Sequence, residues 1–187
     1  MVVVSNSVPH SLLKKQLYAC LPFTGCCPAQ LSRRVVSTYF GELENANICC
    51  TFVNEGPLAW SCWRPETREL NIHLHNVLNH GDTPAMVIEF LIKHELLHLR
   101  VAPVMVDDEP ARHHDAFVQQ ERAISPERLV AWTWLYVAVG AHLQVRRKAE
   151  RVDVANTWKA TWHLSRPDLA EALRTRHRYA RPAVRYI

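Results

Sequence analysis

The sequence predicts an α+β protein in which a small antiparallel or mixed sheet packs on one long helix and a helical C-terminal part follows. Three observations predict this class. Residues 46–78 contain short stretches with strand character. Residues 84–101 then have an apolar helical pattern and contain the motif H-E-x-x-H. Beyond residue 113 the stretches with regular patterns are helical.

Two helices are expected before the sheet. Residues 11–19 are amphipathic and short. Residues 28–43 begin with Pro28, which suits the first position of a helix. Their apolar side chains recur at helical spacing, at Leu31, Val35, Tyr39 and Leu43.

Three strands are expected next, at residues 46–53, 58–63 and 70–78. The first is rich in β-branched and aromatic residues. The third alternates apolar with polar residues, which is typical of a half-buried strand. Its His73 and His75 share one face and could bind a metal, but a polar face towards solvent or a cleft explains them without one.

The long helix is expected from residue 84 to about 101, with Thr83 as N-cap, Pro84 at the first position and Pro103 closing it. Residues 104–112 are expected to form a loop. A second helix is expected over residues 113–124, since the Ser-Pro pair at 125–126 ends its pattern.

The stretch KHELLHLR at 93–100 places two histidines four residues apart. Positions i and i+4 lie nearly above one another on a helix, so His94 and His98 can chelate one cation. Glu95 flanks the pair and is placed to hold a metal-bound water. Neutral imidazoles suit zinc, and a catalytic zinc keeps an open position for a water whose pKa falls to about 7. The spacing therefore predicts a metal site with its own base.

A third ligand is available after a loop of moderate length. His113 and His114 both qualify, but neighbouring helical residues point about 100° apart, so one helix offers only one of them to one metal. Glu109 and Glu121 are the carboxylate alternatives. The acidic run Asp107, Asp108 and Glu109 is otherwise expected to be a solvated loop.

Residues 30–125 resemble the SprT-like zinc metalloproteases and their small bacterial relatives. FLIKHELLHL is similar to the active helix of that family, and RHHDAFVQQE to the helix that carries its third ligand. The resemblance implies a minimal zincin-like fold with His94, His98 and His113 as zinc ligands and Glu95 as general base. It also implies cleavage of a protein or peptide, in some members one bound to DNA. The four-cysteine zinc ribbon of larger members is absent.

The resemblance divides the chain into a metalloprotease domain at 1–125 and a basic helical extension at 126–187. A second function also fits the residues: a non-catalytic module that a metal stabilises and that binds a protein or nucleic acid. The sequence does not single out a group that would stabilise the oxyanion; the candidates are Arg100, His73, His75 and Tyr136.

Charge differs between the two parts. Residues 1–122 carry 10 Lys/Arg and 13 Asp/Glu, net −3, whereas residues 123–187 carry 12 Lys/Arg and 5 Asp/Glu, net +7. A basic final third either contacts phosphates, as in DNA, or is a solvated helix surface. Its tryptophans are expected in the core, although exposed ones could stack on bases: Trp132, Trp134, Trp158 and Trp162.

Location is inferred from three further features. The apolar run at 129–145 is shorter than the roughly 20 residues that span a bilayer, so a buried helix is expected and no membrane span. The first residues show no export signal, which indicates a cytoplasmic protein with reduced thiols. The six cysteines form no C-x-x-C pair and are Cys20, Cys26, Cys27, Cys49, Cys50 and Cys62.

Overall fold

The structure is a computed structural model that describes residues 27–146 and 150–179. Within these ranges it contains α-helices and three small sheets, which confirms the α+β class. The helix expected at 11–19 lies outside the described residues, as do Cys20 and Cys26. The four described cysteines, Cys27, Cys49, Cys50 and Cys62, form no disulfide with one another.

Helix α1 (Pro28–Tyr39) starts at the expected proline. It ends four residues earlier than expected, because Gly41–Leu43 tightens into a 3₁₀ turn. Its buried side is the predicted one and includes Leu31 and Val35. This side lies against the sheet and the long helix.

The main sheet contains three strands close to the expected positions: β1 (Asn47–Val53), β2 (Ala59–Arg64) and β3 (Glu69–His75). The order is β1-β3-β2, with β3 parallel to β1 and antiparallel to β2, so the sheet is mixed. Residues 76–78, expected to continue the third strand, form a 3₁₀ turn instead.

The alternation of β3 sets the two faces of the sheet. Leu70, Ile72 and Leu74 are fully buried in the core, as an alternating half-buried strand predicts. On the opposite face, His73 stacks on Trp60. His75 is fully buried there, with its ring edge-on to Trp158 from the C-terminal part of the chain.

Helix α2 (Ala85–Arg100) carries H-E-x-x-H and is surrounded by other elements. It contacts α1, β2 and the two helices that follow, and it buries residues on all sides over most of its length. Burial on all sides is typical of an internal helix. The expected cap was wrong: Pro84 is the N-cap, and the Thr83 hydroxyl is instead a partner of the Arg166 guanidinium.

The segment expected as a loop at 104–112 contains a two-stranded sheet, β4 (Val104–Val106) paired with β5 (Glu109–Ala111). Asp107 and Asp108 turn between the strands with positive φ, which Asp tolerates better than most residues. Helix α3 (Asp115–Ile124) follows. His113 therefore lies before α3, and His114 is its N-cap.

The chain after residue 125 is less helical than expected. Helix α4 (Arg128–Val139) ends at a 3₁₀ turn, and the remainder of the helix expected over 129–145 is strand β6 (Leu143–Arg146). Strand β6 pairs with β7 (Arg151–Val154), whose Val152 and Val154 are buried. Gly140 weakens the helix locally, and pairing with β7 places the residues beyond it in a strand. Two helices complete the described chain, α5 (Trp158–Thr161) and α6 (Leu169–Tyr179).

The two parts of the chain share one hydrophobic cluster. It includes Leu74 and Leu96 from the first part and Trp132, Trp134 and Val152 from the second. The segment before β2 also bonds to β7, where Leu58 N–H donates to Val152 O at 2.7 Å. No helix within the described ranges combines the length and apolarity needed to cross a bilayer.

Trp134 tests whether the two parts unfold together. Its side chain is fully buried in the shared cluster, and its indole N–H donates to Pro167 O at 2.9 Å. We expect Trp134→Ala to lower the free energy of unfolding by about 3–5 kcal/mol, because it leaves a cavity and an unpaired carbonyl. Denaturant unfolding should stay a single transition in wild type.

Leu129 on the same helix is 62% exposed, so Leu129→Ala should change stability by about 0.5 kcal/mol or less. Two separated transitions in wild type, with Trp134→Ala shifting only one, would contradict a shared core.

Candidate metal centre

Three imidazoles converge at one point of the core. His94 and His98 lie one turn apart on α2, and His113 reaches them from the residue pair that precedes α3. The Nε2 atom of His94 is 3.3 Å from Nε2 of His98 and 3.2 Å from Nε2 of His113. One nitrogen from each ring lies within 4.8 Å of the others. The three histidines could therefore hold a metal ion.

The spacing of these nitrogens fits a tetrahedral ion. Zn–N bonds of 2.0–2.1 Å at a tetrahedral angle put two ligand nitrogens about 3.3 Å apart. The two measured separations from His94 agree with this value. A cation would draw together the lone pairs of rings that otherwise repel one another.

Phe117 on α3 forms the wall against which the rings pack. It is fully buried and stacks on His98 with a centroid distance of 4.5 Å and an interplanar angle of 24°. Its ring is also edge-on to His94 at 5.3 Å and to His113 at 5.0 Å. One aromatic side chain therefore limits the rotation of all three imidazoles.

A carboxylate orients His94. Nδ1 of His94 is 2.5 Å from Oε1 of Glu121, and Oε2 of Glu121 accepts a hydrogen bond from the Arg128 guanidinium. The Glu121 side chain is 2% exposed. Metal-binding histidines commonly use their second nitrogen in this way, which fixes the ring and raises its basicity.

The protonation of the rings follows from burial and from these partners. Burial, with the positive charge of His94, lowers the pKa of His98 to about 2 and that of His113 to about 4. Both are therefore neutral near pH 7, the form that binds metals. Burial also acts against the charged form of His94, but the hydrogen bond and charge of Glu121 outweigh it and raise the pKa of His94.

Glu121 itself stays ionised. Burial alone would raise the pKa of this carboxyl, but the hydrogen bond with His94 and the charge of Arg128 lower it. For Glu95, burial raises the pKa of the carboxyl, while the charges of His94 and Arg112 act in the opposite direction.

The three histidines open onto a cleft of about 560 Å³. Glu95 lines it beside His94 and His98, as the helical spacing predicts. The hydroxyl of Ser61 donates to the backbone carbonyl of Glu95 at 3.0 Å and joins β2 to α2 at the cleft. Leu91 and Trp132 also line the cleft, and its other walls come from residues 57–61, from Pro110 and Arg112, and from residues 150–152.

The remaining candidate ligands lie elsewhere. His114 points its Nε2 at Ala102 O, 3.0 Å away, and Glu109 is exposed on β5. Among the described residues, the group able to hold a metal contains neither of them, nor His73 or His75. His73 contacts Thr51 and Trp60 on the opposite face of the sheet.

The cleft does not contain the groups expected to stabilise an oxyanion. Arg100 is paired with Glu42, and Tyr136 and the two β3 histidines are not among the lining residues. Arg112 lines the cleft instead. The sequence could have indicated Arg112, because it directly precedes the predicted ligand His113. Ser61, Arg128 and Glu150 had no local signal, because each approaches the site through tertiary packing.

No protein-family model matches the chain. No curated protein and no solved structure matches it either. The resemblance to the SprT-like metalloproteases therefore depends on the motif residues alone.

The placement of His113 and His114 gives a direct prediction of metal content. Purified wild type should bind about one zinc ion per chain, measured by mass spectrometry of the metal. His113→Ala should lose most of the bound zinc, because only two of the three histidine ligands remain. His114→Ala should keep it, since that ring faces a backbone carbonyl. Equal retention by both variants would contradict the three-histidine site.

Proposed function

We propose that the protein is a zinc-dependent metallopeptidase that hydrolyses peptide bonds. One observation carries the proposal: three histidine nitrogens converge at zinc spacing beside Glu95, at the base of an open cleft. Three protein ligands with an accessible fourth position are typical of catalytic zinc, whereas structural zinc is enclosed by four.

His94, His98 and His113 would hold the zinc. The ion, when bound, supplies a Lewis acid that polarises a carbonyl oxygen and activates water. Glu95 acts as general base. It lines the same cleft one residue from a ligand, so its carboxylate can take the proton of the attacking water and return it to the leaving amine.

The shape of the cleft favours an extended peptide as substrate. Strand β2 is at the edge of the sheet, and its Ala59, Trp60 and Ser61 line the cleft. An edge strand offers backbone groups to which an extended chain can bond. Arg112 adds a cation beside Glu95, where it can attract the carbonyl oxygen or a carboxylate of the substrate.

The alternative, a non-catalytic metal-stabilised module, receives less support. Among the described residues the metal-binding group contains three side chains and no fourth. The cleft beside it is large enough to admit several residues of a peptide. A purely structural ion has no need of either feature.

Contact with DNA through the basic final third is a separate part of the proposal. Several basic and aromatic side chains of this third are already paired or buried, so fewer of them could contact DNA. Arg146 and Arg151 both pair with Asp153. Trp132, Trp134 and Trp158 are buried as expected for core residues, whereas Trp162, also expected in the core, is 36% exposed and lies edge-on to His80. Other exposed basic side chains among the described residues of this third are Lys159 on α5 and Arg174 on α6.

Glu95→Gln tests the catalytic role. We expect the rate of peptide hydrolysis to fall by about 10²–10⁴-fold, because the amide cannot take a proton. Zinc content should stay that of wild type, since Glu95 is not in the metal-binding group. Undiminished hydrolysis in this variant would remove Glu95 from the mechanism. If wild type binds zinc but hydrolyses no peptide or protein in a library screen, the non-catalytic module is favoured.

The DNA contact is tested by salt dependence. Affinity for a DNA duplex should fall steeply between about 50 and 200 mM salt, and Arg174→Ala with Arg178→Ala should reduce that slope. The pair Arg64→Ala with Arg68→Ala removes equal charge from the first part of the chain and serves as control. Absence of binding at low salt would remove DNA from the proposal.

A further inference from the structure

We infer that Glu150, at the start of β7, is a positioning residue for the third metal ligand, His113. This inference rests on the proposed zinc site. It assigns part of that site to the region expected to be a separate helical extension. Glu150 lies 37 residues beyond His113 in the chain, and it reaches the ligand because β7 lies along the segment before β2.

The first contact holds the backbone. His113 lies before α3, so no helical hydrogen bonds fix its main chain. Instead, Oε2 of Glu150 accepts hydrogen bonds from two backbone N–H groups, that of Arg112 at 2.5 Å and that of His113 at 3.2 Å. A carboxylate that accepts two adjacent N–H groups clamps the peptide unit between them, and charge makes such bonds stronger than neutral ones.

The second contact concerns the ring. Nε2 of His113 faces His94, whereas Nδ1 faces Glu150, with Oε2 3.5 Å away. This Nδ1 is buried and makes no hydrogen bond with the described residues. The nearby carboxylate favours a proton on Nδ1, which leaves the lone pair on Nε2, the atom that faces the other two histidines.

The backbone of Glu150 supports a specific role. Its φ is +47°, a left-handed conformation that Gly, Asn and Asp adopt more readily than Glu. Strand β7, which directly follows Glu150, fixes its position. Val152 and Val154 are buried, and their backbones bond to the segment before β2. The strand therefore holds the carboxylate at a defined place on the cleft wall.

Glu150 lies beside Nδ1 of His113 as Glu121 lies beside Nδ1 of His94, although at 3.5 Å rather than 2.5 Å. Each carboxylate comes from an element other than that of its histidine, and each faces the Nδ1 atom. Loss of such a partner weakens metal binding by about 10–100-fold in known metal sites.

The experiment compares zinc affinity, measured by competition with a chromophoric chelator, with the thermal stability of the metal-free protein. Glu150→Ala should weaken zinc binding about 10–100-fold. Glu150→Gln should fall between this variant and wild type, because its amide oxygen still accepts the two N–H groups but carries no charge.

Two controls separate positioning from general damage. Glu66→Ala removes an exposed carboxylate far from the cleft and should leave the affinity unchanged. Asp153→Asn breaks the ion pairs of β7 with Arg146 and Arg151 but leaves Glu150 in place. Asp153→Asn should lower the thermal stability of the metal-free protein but leave the zinc affinity close to that of wild type.

Wild-type affinity in Glu150→Ala would overturn the inference while leaving the zinc site intact. So would an equal loss of affinity in Asp153→Asn, since the effect would then come from loosening of β7. If Glu150→Ala does not fold, wild-type affinity in Glu150→Gln overturns it. A wild-type protein that binds no zinc overturns both the proposed function and this inference.

Discussion

The buried carboxylate of Glu121 is the interaction on which the arrangement of the site depends. It lies between His94 on α2 and Arg128 on α4, although it belongs to α3. An ionised group at 2% exposure is stable only when partners satisfy it, and breaking such a pair costs about 3–5 kcal/mol. Helices α2, α3 and α4 must therefore meet at Glu121. Glu95 lies on the face of α2 that lines the cleft.

The residue before α4 makes a second contact with α2. Lys93 precedes the first ligand and is almost fully buried, which an unpaired ammonium would not tolerate. It pairs with Glu89 on the same helix and with Glu127, the residue before Arg128. Glu127 thus pairs directly with Lys93 of α2, and Arg128 acts on His94 of α2 through Glu121, so the orientation of the ligand helix does not depend on the metal alone.

The sequence predicted what local pattern determines. Helical spacing placed His94, His98 and Glu95 together, and alternation in β3 gave its buried face. The hairpin at 104–111 and strand β6 were missed, because pairing with a neighbouring strand, rather than the residue pattern of each segment, decided their structure. His113 was expected inside a helix; it lies before one, and this explains why its backbone depends on an acceptor that no local pattern could reveal.

These contacts bear on where a functional unit of this chain could end. A boundary at residue 125 would keep all three histidines and Glu95, so by motif alone the site would be complete. It would remove Arg128 and Glu127, leaving the buried Glu121 carboxylate with His94 as its partner and the buried Lys93 ammonium with Glu89 as its partner, each with one ion pair fewer. It would also remove Glu150 and the cleft wall at 150–152. The ligands come from the first part of the chain, but the groups that orient and enclose them come from both.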